Sequence, residues 1–185
     1  MVRGDQHPCP VDLPRPQLVA VCVSPGGIPK RPQPIAIVRR EGLVGDGHNH
    51  AKHRRPDRAV SLWDLELLQQ LVHEGFALAP GAAGENLTIA GLHLQSLPPG
   101  TLLQIGPIGN VVLRLEQPRK PCYVLDAIDP RLKEAITGRC GYLASVVREG
   151  VVAPGMTVQV VEKSSEKLPE APPAPALAIS FALPG

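Results

Sequence analysis

Short apolar runs broken by glycine and proline set the rhythm of the chain. Leu18-Val-Ala-Val-Cys-Val23 reads as a β-strand ended by Ser24-Pro25-Gly26-Gly27. Pro34 to Val38 reads as a second strand, and the two are expected to form a hairpin. Ala59 to Leu62 is a third short strand. Helical spacing follows from Trp63 to Glu74, where Leu65, Leu68, Leu71 and Val72 fall on one face. Asp64 or Ser61 suits the start of that helix and Gly75 its end. Strand-like runs then return at Asn86–Ile89, Thr101–Ile105 and Val111–Glu116, separated by Ala90-Gly91, Pro98-Pro99-Gly100 and Gly106-Pro107. One or two short helices are expected after Cys122, the second capped by Asp129 with Pro130 in its first turn. Gly141 to Val147 and Thr157 to Val161 complete the set, with turns at Gly150 and Gly155. Seven or eight short strands with two helical inserts predict a mainly β fold, a closed or nearly closed β-barrel with a few short helices packed outside. A parallel α/β sheet would need a helix after nearly every strand, and the pattern lacks them.

The domain predicted this way covers residues 18–163. Residues 1–17 hold four prolines and little apolar pattern, and read as a Pro-rich flexible arm. Residues 164–185 are rich in proline and alanine and read as a flexible tail, with one apolar patch from Leu177 to Leu183 that can dock or bind a partner. Composition sharpens this outline. Aromatic residues make up only 3% of the 185, so the core must be aliphatic, and 22 prolines with 18 glycines suit short elements with many turns. The net charge of +2 argues for neither a nucleic-acid nor a membrane partner. No apolar run reaches the length of a membrane span. The first residues carry charges and prolines rather than the apolar stretch of a secretory leader, and Cys9, Cys22, Cys122 and Cys140 form no C-x-x-C pair. The expectation is a cytoplasmic protein with reduced thiols.

Four stretches carry candidate chemistry. In Gln117-Pro118-Arg119-Lys120-Pro121-Cys122, a thiol ends a loop held open by two prolines, next to two cations that favour its thiolate. Cys122 is therefore a candidate nucleophile, sulfur carrier or soft-metal ligand, against the alternative of a buried cysteine that merely packs. The run from Gly45 to Arg58 holds Asp46, His48 and Arg58 and three of the six histidines. His48-x-His50 has spacing known from zinc sites; the same run can cradle an anion, or be only a solvated basic loop. Gly84-Glu85-Asn86-Leu87-Thr88 places a carboxylate and an amide just before a strand, to line a pocket or to brace a turn. Cys140 can resolve a persulfide or sulfenate on Cys122, although packing is the reading preferred for it.

Taken in order, Gly42-x-x-Gly45-Asp46-x-His48, Pro56-Asp57-Arg58-Ala59-Val60, Gly84-Glu85-Asn86-Leu87-Thr88, Gln117-Pro118-Arg119-x-Pro121-Cys122, Gly141-Tyr142 and Gly150-x-Val152-x-x-Gly155 resemble a MOSC domain, the C-terminal domain of molybdenum cofactor sulfurase. The resemblance runs from about Leu18 to Val161 and is nearest to the small stand-alone bacterial members. It implies a barrel of the kind seen in pyruvate kinase. It implies that Cys122 carries sulfur as a persulfide or coordinates molybdenum. It implies that Asp46, His48, Arg58, Glu85 and Asn86 line the same pocket, with Arg119 and Lys120 stabilising the sulfur anion or the cofactor. Family members are linked to metal–sulfur cluster assembly, to sulfur delivery to the cofactor, or to reduction of N-hydroxylated compounds.

The chain also departs from the family pattern. Late turns that often read Gly-Asp are Gly100-Thr101 and Gly155-Met156 here, which bears on turn stability more than on chemistry. Tyr142-Leu143 replaces a more aromatic strand start and alters one wall of the expected pocket. Nothing resembles the separate desulfurase domain that carries pyridoxal phosphate, so that cofactor is not expected in this chain. Three functions follow: a molybdenum-cofactor-dependent reductase of small N-oxygenated substrates served by a separate electron-donor protein; a sulfur carrier fed by a separate sulfur donor; and a non-catalytic anion-binding module.

Overall fold

The structure, a computed structural model, describes residues 15–47 and 55–161. The arm before residue 15, the tail after residue 161, Cys9, His48, the His48-x-His50 pair and the Leu177–Leu183 patch lie outside the described residues.

Eleven strands and two helices are described in this part of the chain. In order they are β1 (Gln17–Val23), β2 (Arg31–Pro32), β3 (Ala36–Arg39), β4 (Gly42–Leu43), β5 (Val60–Asp64), α1 (Leu65–His73), β6 (Leu87–Ala90), β7 (Leu102–Ile105), β8 (Val111–Pro118), α2 (Leu132–Ala135), β9 (Tyr142–Arg148), β10 (Gly150–Val152) and β11 (Val158–Val161). Short 3-10 turns lie at Pro56–Arg58, Leu94–Ser96 and Tyr123–Ala127. The strands form an eight-stranded sheet in the order β11-β7-β8-β9-β5-β6-β1-β2 and a three-stranded sheet in the order β10-β3-β4.

The fold is mainly β, as the pattern predicted, but neither sheet closes, and the expected closed or nearly closed barrel is overturned. The large sheet ends on β11 at one edge and on β2 at the other. Gln17 forms one isolated bridge to Thr157, and no ladder grows from it. The reason is local. Ala153 to Met156 make a turn that meets β1 end-on, with the Leu18 N–H donating to Met156 O and the Gly155 N–H donating to Leu18 O. The expected hairpin between β1 and Pro34–Val38 is also replaced. β1 pairs with Arg31–Pro32, and β3 leaves for the small sheet, where Val38 lies opposite Gly150 and Leu43. Pro32 and Pro34 lack the N–H that a longer β1 ladder would require.

β5 and β6 pair in parallel, with Leu62 opposite Leu87 and Asp64 opposite Ile89. A parallel pair needs a crossover, and α1 supplies it. Every residue of β5 is buried, as suits a central strand covered on both faces. On one side Leu18, Val21, Leu62, Leu87, Ile89, Leu103, Leu113 and Leu115 belong to the main core. On the other, Trp63, Leu68, Leu71, Leu125, Leu132, Ile136 and Cys140 form a second cluster beneath the helices. Each such aliphatic side chain contributes about 1.5–3 kcal/mol of transfer free energy. Trp63 belongs to the strand rather than the helix, and its indole N–H donates to Arg139 O at 2.6 Å. Val72, expected on the buried face of α1, is exposed.

Asp64 stands at the N-cap of α1 without capping it. Its Oδ1 instead accepts from the Leu94 N–H at 2.7 Å, tying the start of the helix to the turn after β6. α2 starts at Leu132, with Arg131 rather than Asp129 at its cap. Asp129 turns the chain just before, accepting from the Arg131 N–H and pairing with its guanidinium. Among the described residues, no helix is long and apolar enough to cross a membrane.

Candidate functional site

β8 outruns its neighbour β7. Their pairing starts at Arg114, where Leu102 lies opposite, while β8 continues along β9 to place Pro118 opposite Tyr142. Proline is tolerated there because it ends a strand that has lost one partner. Gln117-Pro118 is thus strand rather than loop, and the open loop starts at Arg119, whose N–H donates to Gly141 O at 2.8 Å. A register shift between Leu115 and Gln117 bulges the strand just before the motif. Such bulges re-aim the side chains that follow them.

The loop opens onto a cavity of about 480 Å³. Cys122, Arg119, Lys120, Arg58 and Asn86 line it, so five of the predicted site residues converge on it from separate stretches of chain. Cys122 is exposed, while Cys22 and Cys140 are buried. Burial pushes the Cys22 thiol up to about 11, with the nearby Glu85 adding to it, and raises Cys140 as well. Cys140 belongs to the second hydrophobic cluster, in keeping with the packing reading. Among the described residues, Cys122 is the accessible thiol.

Asp46 is not among the residues lining the cavity; it braces Lys30 and Asn86, which are. Its Oδ1 accepts from the Ser24 N–H at 3.0 Å, and its Oδ2 accepts from Asn86 Nδ2 at 2.9 Å and from Lys30 Nζ. The approach that permits this is close. Gly47 donates its N–H to Ser24 O at 2.6 Å, and a Cβ at Gly47 would lie 1.8 Å from Pro25 O. Asn86 is saturated in turn: its Oδ1 accepts from the Ser61 N–H and hydroxyl, and its Nδ2 also donates to Cys22 O. Asp46 and Asn86 therefore form a rigid bracket joining β1, β5 and the turn before β6.

Glu85 is fully buried and is not among the residues lining the cavity. Its Oε1 accepts from the Gly81 N–H at 2.6 Å, and burial raises its pKa above the usual carboxylate range, against the N–H of Gly81 and the charge of Arg119. Arg119 donates Nη2 to Ala83 O and leaves Nη1 buried without a hydrogen-bond partner among the described residues. Arg58 Nε is likewise buried and unpaired by hydrogen bonds, with Asp57 Oδ2 no nearer than 3.9 Å.

Lys30 is the residue that sequence reasoning missed. It lines the cavity, and its side chain is 11% exposed against 1% for Asp46. A signal was present: Pro29-Lys30-Arg31-Pro32 has the same proline-bracketed cation pair as Pro118-Arg119-Lys120-Pro121. Ser61, Gln117 and Leu143 also line the cavity. Among the described residues no three His, Cys, Asp or Glu side chains are grouped to hold a metal ion by themselves. One accessible thiol and four cations can together attract an anionic ligand and offer it a soft donor.

The same residues sit within a recognised family. The MOSC domain profile matches residues 46–159. YflK of Bacillus subtilis (strain 168) is 32% identical over 149 residues, which are 76% of this chain and 65% of that protein. A protein of Gibberella moniliformis named a reductase is 29% identical over 134 residues, 68% of this chain and 24% of that one. The chain thus spans just under two thirds of the first relative and about a quarter of the second. The crystal structure of YiiM from Geobacillus stearothermophilus superimposes with a TM-score of 0.65 at 27% identity, covering 80% of this chain and 75% of that one. With the Asp46, Arg58, Asn86 and Cys122 motifs inside the matched span and the solved relative sharing the architecture, the chain belongs to the MOSC domain family.

Proposed function

We propose that this protein binds molybdenum cofactor in the cavity at Cys122 and uses it to reduce small N-hydroxylated compounds. The observation that carries the reading is the exposed Cys122 thiol at a cavity also lined by Lys30, Arg58, Arg119 and Lys120. A thiolate is a soft donor suited to molybdenum. Arg119 and Arg58 line the cavity and suit the phosphate of the cofactor, since charge-assisted hydrogen bonds to phosphate are strong and guanidinium forms them in pairs. When bound, the cofactor supplies a metal that exchanges electron pairs. The chain's own residues supply the ligand sulfur, the counter-charge and a partly closed space beside it. Asp46, itself anionic, is neutralised by Lys30 and so does not repel an anionic ligand.

The name of the Gibberella relative is in keeping with a reductive role. The test is an anaerobic assay with reduced methyl viologen as electron donor and an N-hydroxylated amidine as substrate. The reading expects conversion to the amidine by the wild type and none by Cys122→Ser. An inactive wild type whose Cys122 gains one sulfur atom in mass from a persulfide donor would overturn it in favour of sulfur carriage. Exposure of the Cys122 thiol suits that second reading too, since transfer between proteins requires an accessible sulfur.

A further inference from the structure

We propose that Lys30 is the proton donor of the cavity: its ammonium, held by Asp46, protonates the oxygen that leaves an N-hydroxylated substrate as water. The inference rests on the reductase reading above and names the residue that serves it. Reduction of an N-hydroxyl group consumes two electrons and two protons, and yields the corresponding N–H compound and water. The N–O bond breaks, the electron pair comes from a separate electron-carrier protein, and the leaving oxygen takes a proton from Lys30. The nitrogen takes the second proton from water, and solvent reprotonates Lys30.

Five observations point to Lys30 for this role. It lines the same cavity as Cys122. Its ammonium donates to Asp46 Oδ2, and the other two N–H protons have no hydrogen-bond partner among the described residues. Asp46 cannot move to follow the proton, because Ser24 N–H and Asn86 Nδ2 already hold both of its oxygens. The Lys30 backbone is pinned as well, its N–H donating to Gly81 O at 2.8 Å. Burial lowers the Lys30 pKa below the ordinary lysine value against the pull of Asp46, and Arg119 lowers it further. An ammonium so placed gives up a proton more readily than one in water. The other lining cations are less suited: Arg58 and Arg119 are guanidiniums that do not release protons at working pH, and Lys120 is exposed, without the burial that favours release.

Two variants test it, with molybdenum and pterin content, KM, kcat and melting temperature measured for each. Lys30→Met, which leaves Asp46 without its counter-ion, is expected to lose part of the cofactor and about 10²–10⁴-fold in kcat per bound molybdenum. Lys30→Arg keeps the ion pair with Asp46 and the fold, and is expected to show the same loss in kcat with the alkaline limb of the pH–rate profile removed. Wild-type kcat and an unchanged pH profile in Lys30→Arg would show that only the ion pair matters and overturn the proposal. Loss of molybdenum from both variants would make Lys30 a cofactor-binding residue and overturn it too. A wild type without molybdenum or reductase activity would instead overturn the reading beneath it, an outcome separate from either.

Discussion

Asp64 and Asp46 are both almost wholly buried carboxylates, and their surroundings send them in different directions. Asp46 has three donors, one of them a lysine. Removing its charge leaves Lys30 without a counter-ion in a desolvated place, so Asp46→Asn is expected to cost about 3 kcal/mol in urea denaturation. Asp64 accepts one backbone N–H and leaves Oδ2 unpaired. Burial is the main cause that moves its pKa from 3.8 to about 6; the Leu94 N–H opposes this, Glu66 adds to it, and His93 opposes it. Because the folded value is the higher one, the folded state holds the extra proton. The stabilisation is full below the unfolded value and is lost as pH rises through the folded value. Wild-type stability should fall between about pH 4 and pH 6 through this group, and Asp64→Asn should flatten that slope. At pH 7 the variant should be more stable by up to about 3 kcal/mol, read from denaturant midpoints across pH. The cysteines separate as cleanly. Alkylation of the native protein followed by peptide mass spectrometry should label Cys122 well before Cys22 or Cys140, which are buried with raised pKa values.

At the scale of elements, the turn into β9 holds the signature loop in place. Gly141 has φ +80, and a Cβ there would lie 2.0 Å from Leu62 O in the central strand β5. Its own carbonyl accepts from the Arg119 N–H. Gly141→Ala therefore forces β9 away from β5 and moves Arg119 with it. The expected result is a loss of about 2–4 kcal/mol in stability together with weakened anion binding, by denaturation and by titration with inorganic phosphate. Much of this level was legible in the sequence. Apolar runs bounded by Gly and Pro located β1, β7, β8, β9 and β11 to within a residue or two, since burial on a sheet selects those residues wherever the strand ends up. Pairing was not legible in the same way. The β3–β10 and β5–β6 partnerships join residues far apart in the chain, and nothing in Ala36–Arg39 states that Gly150–Val152 will lie beside it. Boundaries failed where a side chain served something else: Asp64 looked like a cap and is spent on Leu94.

The described residues form two open sheets, and their strands and connecting turns supply the cavity lining. The strands gather Lys30 from the end of the β1–β2 connection, Asp46 from beyond β4, Arg58 from before β5, Asn86 from before β6 and Cys122 from beyond β8. Motif order announced most of these residues, because motifs that are weak alone become specific when four follow in order at compatible spacings. Two features escaped that reading. Lys30 sits in a stretch to which the pattern assigns no element, and only the fold places it against Asp46. Glu85 looked like a lining residue, yet it is fully buried in the turn before β6, where it accepts from the Gly81 N–H. The central claim is that this gathering of thiol and cations holds molybdenum cofactor. Elemental and pterin analysis of protein made in molybdate-supplied cells, wild type beside Cys122→Ser, tests it most directly. Cys122 is exposed, so the substitution should change stability by no more than about 0.5 kcal/mol and isolate the ligand sulfur. Molybdenum and pterin are expected in near-equal amounts in the wild type, and neither in a folded Cys122→Ser protein. A wild type free of both, or a variant that keeps them in full, would contradict the claim.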